Sequence, residues 1–189
     1  MAPRGRTLPI IVRCLAWLGI ALALGCDGAE AQVRELASAI KATYLYKFAP
    51  FVNWPEGTFG APSSPLTICV VGDDAVGHLV EEAVQDAKIS PRPVLVRRLV
   101  TVGPDSQCHI AYLAPGAEGA LAAALQRLRR SPMLTVTDDA RDTRTRGIIN
   151  FVVRDNRVRF EVDLAAAAES GLTISSKLLN LAVSVRPAT

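Results

Sequence analysis

Four cysteines and two histidines carry most of the reactive chemistry this chain could offer. Cys69 sits in the middle of "LTICVVG" (66–72), a short apolar run, and Cys108 opens "CHIAYLA" (108–114). Such thiols can be quiet core residues, the halves of a disulfide, or nucleophiles. A nucleophile needs a base beside it. His109 follows Cys108, but neighbouring residues on a strand point to opposite faces. No pair of His or Cys has metal-ligand spacing around His78 or His109, so no metal site is assigned. Asp73-Asp74 and Asp138-Asp139 each follow a strand-like run, as the magnesium-holding acids of a phospho-acceptor domain do. The third strand of such a domain would end in another Asp, and here the chain reads Tyr112-Leu113-Ala114-Pro115. The simpler reading has Asp73 or Asp74 capping a helix that begins near Val76, and the second pair in a solvated turn. There is no Gly-x-Ser-x-Gly elbow, Walker loop or dinucleotide fingerprint. No catalytic residue and no cofactor is assigned, and the expectation is a binding protein rather than an enzyme.

The elements that must hold these residues begin after a leader. Arg4, Arg6 and Arg13 precede the apolar "CLAWLGIALALG" (14–25), and "AEA" (29–31) has the small-x-small pattern of a cleavage site. Residues 1–31 therefore read as a secretory signal and 32–189 as a single domain, so the mature chain is expected to be exported. A competing reading takes "LALGC" (22–26) as a lipobox, with Cys26 lipidated and the protein anchored to a membrane. Cys14 leaves with the leader in either case, and Cys69 and Cys108 remain in an oxidising compartment. Half of the 189 residues are apolar, enough for a sizeable core. The formal charge of +3 without a dense basic tract argues against nucleic acid as partner.

Apolar residues at three- and four-residue steps (Val33, Leu36, Ile40, Tyr44, Phe48) predict a helix that Pro50 ends. An aromatic stretch follows, in which Trp54-Pro55 makes a stiff corner and Trp54 is a candidate ligand-stacking residue. Strands are predicted at 66–72, 92–100, 108–114 and 133–138, alternating with helices at 76–87 and 116–130. This is an α/β pattern with a largely parallel sheet and helices on both faces. "GIINFVV" (147–153) and "RVRFEVD" (157–163), joined by Arg154-Asp155-Asn156, predict an antiparallel hairpin near the C-terminus, so the sheet is mixed. A short helix at 164–171 and a final helix from Ser175 or Ser176 to Val185 close the chain. That last helix would show Ile174, Leu178, Leu181, Ala182 and Val185 on one face and leave Leu179 and Val183 off it, as candidate partner-binding residues.

If the first three strands lie in the order 2-1-3, strand 66–72 neighbours strand 108–114. Neighbouring strands are about 4.8 Å apart, within reach of a disulfide between Cys69 and Cys108. Two separate buried thiols remain the alternative.

Taken together, "KATYLYKFAPFVNWPE" (41–56), "PLTICVVGDD" (65–74), "CHIAYLA" (108–114), "PMLTVTDD" (132–139), "GIINFVVRDNRVRFEVD" (147–163) and "AAAAESGLTISSKLLNLA" (165–182) resemble the YfiR-type periplasmic repressor family, in the same order and over nearly all of 32–189. The resemblance implies an exported α/β protein that binds the periplasmic sensor region of an inner-membrane diguanylate cyclase and represses it, lowering cyclic-di-GMP signalling and biofilm formation. It implies that Cys69 and Cys108 are the family's disulfide pair. A second cysteine pair of some members is absent, since 138–155 contains no Cys. Another membrane sensor or a second copy of the chain are further candidate partners. The contrasting reading is a small-ligand receptor using the strand-end crevice near Gly72–Val76, with Trp54 stacking on the ligand.

Overall fold

The computed structural model describes residues 31–72, 75–85, 88–89, 92–116 and 118–188. The chain divides into two units, Met1–Leu36 and Ala37–Thr189, and apart from the first residues of α1 the elements below belong to the second. The leader with Cys26, and Asp73-Asp74, lie outside the described residues.

Helix α1 covers 31–47 and runs into a 3-10 turn at Ala49–Phe51, where Pro50 ends regular helix. Ala42, Leu45, Phe48 and Ala49 form its buried stripe, while Ile40 is left exposed. The elements that follow are β1 (Val52–Asn53), β2 (Leu66–Val71), α2 (Ala75–Val84), β3 (Lys88–Ile89), β4 (Arg92–Leu99), β5 (Ile110–Leu113), α3 (Glu118–Leu128), β6 (Leu134–Asp138), β7 (Ile149–Arg154), β8 (Arg157–Asp163), α4 (Leu164–Glu169), β9 (Thr173–Ile174), α5 (Ser176–Leu179) and β10 (Ser184–Arg186).

Eight strands form one sheet in the order β10-β8-β7-β6-β5-β2-β4-β3. The central strands run parallel, and β7–β8 and β3–β4 are antiparallel. The fold is thus the mixed α/β class with a C-terminal hairpin. The hairpin turns on Asp155 and Asn156, whose φ values of 51° and 54° both lie in the left-handed region. A two-residue turn needs that twist, and Asp and Asn tolerate it.

Alternation along the strands sorts the core onto two faces. Leu66, Ile68 and Val70 of β2, Tyr112 of β5, and Phe151 and Phe160 of the hairpin pack under α1 and α2. Cys69, Ala111, Leu113, Leu128 and Met133 pack on the opposite face, beneath α3.

The C-terminus departs from expectation. α5 is a single turn capped by Ser175, whose hydroxyl accepts from Lys177 N, and no helix continues to Val185. Instead Val183 N donates to Phe160 O, and β10 joins β8 in parallel at Glu161–Asp163. The open edge of β8 supplies backbone partners for residues 184–186, so the chain need not continue as helix to pair them. Leu178 is buried as expected, but Leu181, expected on the same buried face, is 62% exposed.

Candidate functional site

Cys69 and Cys108 are joined by a disulfide with Cα atoms 5.8 Å apart. The register partner of Cys69 on β5 is Ala111, so the bridge does not follow the ladder. It ties the middle of β2 to the segment entering β5, which starts two residues after Cys108. Gln107, at φ 54°, turns the chain there. Cys69 is wholly buried and Cys108 is nearly so. The bridge closes a 39-residue separation spanning α2 and β4. Constraining the unfolded chain to that extent is worth about 4 kcal/mol in the loop-entropy view.

His109 packs beside the bridge without serving it. Its Nδ1 accepts from Thr67 N at 3.0 Å, which locks its orientation at the start of β2. Phe59 stacks on the imidazole with ring centroids 4.2 Å apart and 6° between planes. The Arg92 guanidinium lies 3.8 Å from the Phe59 centroid. Arg92 and His109 cannot share one face of the ring at those distances, so Phe59 is sandwiched between them. Burial, reinforced by the nearby Arg92 charge, holds the His109 pKa below its usual value, against a raising hydrogen bond to the Thr58 backbone. Arg92 Nη1 is committed to Ala61 O and Ser64 O.

Trp54 meets Phe59 edge-on at 5.7 Å. Its Nε1 is buried with no hydrogen-bond partner among the described residues. The partly exposed ring borders a cavity of about 300 Å³ shared with Asn53, Leu66 and Arg92. Leu66 begins β2 and Gly72 follows its end, so the Trp54 cavity and Gly72 lie at opposite ends of that strand, about 20 Å apart at 3.3 Å per residue, and the structure does not bring them together.

The structure instead joins the Trp54 corner to the C-terminal segment. β1 pairs with β9, Val52 facing Ile174 and Asn53 facing Thr173, and Ser175 N donates to Phe51 O. Leu179 packs partly against the main core, while Val183 is exposed in the turn before β10. These two do not share a helix face. The two-residue β1–β9 pairing is too short to show a sequence period, and the Arg92–Phe59–His109 stack joins three distant segments, so neither leaves a local signal.

The acidic pairs differ from each other. Asp139 is exposed with φ 48°, in a turn. Asp138 is not solvated: its carboxylate accepts from Lys41 Nζ and from Tyr112 Oη. His78 is exposed and contacts Arg98, which also pairs with Glu81. Among the described residues no group of three or more His, Cys, Asp or Glu is placed to hold a metal ion.

These features define a disulfide-stapled α/β domain built on a mixed sheet. The chain belongs to the YfiR/HmsC-like family, whose model matches residues 38–183. That span takes in the disulfide, the Trp54 corner and every strand except β10. At the level of the family, membership supports a periplasmic, non-catalytic regulator of diguanylate cyclase.

Proposed function

We propose that residues 1–31 are an export signal and that 32–189 act in the periplasm as one inhibitory domain. It binds the periplasmic sensor region of an inner-membrane diguanylate cyclase and holds the enzyme inactive. The observation that carries this reading is the family match over 38–183. Repression needs only differential affinity: the protein must bind the inactive cyclase more tightly than the active one. Leu179 and Val183 are the contact residues we assign, on the segment tied to β1 through β9. Lipidation of Cys26 would add a membrane anchor without changing this logic.

The Cys69–Cys108 bridge holds β2 against the entry to β5. Its reduction would loosen the sheet and release the partner. A Cys69→Ser/Cys108→Ser variant that still folds, binds and represses normally would refute that role.

The test of the binding reading is an unbiased pull-down with the mature protein, run beside a thermal-shift screen of small metabolites. A membrane sensor enriched by the wild type and lost with Val183→Asp supports a contact regulator. Strong thermal shifts with metabolites and no enriched sensor would support a ligand receptor instead.

A further inference from the structure

An apolar groove opens where the chain leaves α5. The rings of Tyr44, Phe48, Phe51 and Phe160 line it, together with the exposed Leu181, and its volume is about 220 Å³. It exists because two elements stop short. α5 ends at Leu179, and β10 covers β8 only over Glu161–Asp163. The edge of β8 before Glu161 is left without a neighbouring strand.

The charge around this groove has one sign. No carboxylate lines it, and its charged residues are Lys47 and Arg159. Neither side chain has a hydrogen bond or ion pair among the described residues, although most of the other cations near the sheet are paired. Strand alternation carries the Arg159 side chain to the face opposite Phe160, so Lys47 is the cation on the aromatic side. An exposed apolar hollow with an uncompensated ammonium suits an amphipathic anion and disfavours an amphipathic cation.

The rings also restrict the shape of the apolar part. Tyr44 lies parallel to Phe48 at 5.7 Å, and Phe160 meets both edge-on at 6.0 and 5.2 Å. Their faces are largely used by one another. A flexible methylene chain fits between ring edges, whereas a flat aromatic ligand would need a free face. The volume falls below the roughly 300–1,000 Å³ of drug-sized sites, which calls for a small ligand.

We propose that this groove binds a medium-chain carboxylate, with its chain over Phe51, Phe160 and Leu181 and its head at Lys47. The groove adjoins the assigned contact, since Leu181 lies between Leu179 and Val183, but ligand binding to it is measured on the protein alone and so is tested independently of any partner.

Calorimetry and ligand-observed NMR on the mature protein, with octanoate, butyrate, octylamine and phenylacetate, test it. Octanoate is expected to bind saturably below about 10 mM, as its few heavy atoms allow. Butyrate and octylamine should bind at least about tenfold more weakly. Leu181→Asp, at an exposed position, should keep the fold by circular dichroism and abolish octanoate binding. Lys47→Ala should weaken it about two- to fivefold, the range for an exposed ion pair. No saturable octanoate binding, undiminished binding by Leu181→Asp, or phenylacetate binding as tightly as octanoate would each overturn the assignment. So would a concentration-dependent dimer that Leu181→Asp dissolves, which would give the groove to a second copy of the chain.

Discussion

Lys41 of α1 is ion-paired with Asp138 at the carboxyl end of β6, and both side chains are close to nine-tenths buried. Tyr112 Oη, from the middle of the sheet, donates to the same carboxylate oxygen at 3.3 Å. The pair fixes where α1 crosses the sheet, and α1 in turn covers Phe151 and Phe160. Removing one partner leaves a buried charge uncompensated. Lys41→Met should therefore destabilise the protein by about 3 kcal/mol in urea unfolding, and Lys41→Met/Asp138→Asn should recover much of that loss. A single-variant cost below about 1 kcal/mol would place the pair among ordinary surface ion pairs.

The disulfide predicts a chemical and a thermodynamic result. The denatured, unreduced mature protein should show no free thiol at Cys69 or Cys108. Cys69→Ser/Cys108→Ser should lower stability by about 4 kcal/mol, a large share of the roughly 5–15 kcal/mol typical of a domain. Two titratable thiols in the untreated protein would refute the bridge.

His109 should make stability depend on pH. In the unfolded chain it titrates near 6.5, and in the folded protein it titrates lower because burial disfavours the imidazolium. The unfolded state therefore takes up its proton first. Stability is fully present above pH about 6.5 and declines as the pH falls towards the lowered folded value. His109→Asn can keep an acceptor for Thr67 N but does not titrate, so its stability curve should be flatter just below pH 6.5. An unchanged slope would show that other groups carry the dependence.

Gly171 should couple the C-terminal segment to the Trp54 corner. Its φ is +69°, and a Cβ there would stand 3.0 Å from Pro55 Cγ. Gly171→Ala should cost at least about 1–2 kcal/mol for the left-handed backbone and push Pro55 aside. Trp54 is the sole tryptophan of 32–189, so its emission should report the displacement. Gly57 at φ +83° has nothing within 4 Å of its built Cβ, so Gly57→Ala should show a backbone cost without a local clash. Identical Trp54 emission in both variants would remove the proposed contact.

The middle of the sheet is legible because β2 and β5 are buried apolar runs, and the hairpin because Val158, Phe160 and Val162 alternate with polar residues. The same periodicity misleads at the C-terminus. Leu178, Leu181 and Val185 recur at helical steps, yet the open edge of β8 captures residues 184–186 as a strand. Asp138 looked like a turn acid because its partner, Lys41, is 97 residues away. The Trp54 neighbourhood was hidden for a related reason: β1–β9 and the Phe59 sandwich are assembled only by long-range pairing.

Restraint of a membrane diguanylate cyclase is tested most directly by cellular cyclic-di-GMP, measured with and without the gene. Deletion should raise it, and complementation should restore it only with the exported protein, not with a version lacking 1–31. An unchanged cyclic-di-GMP level on deletion, or full rescue by the unexported chain, would contradict the account.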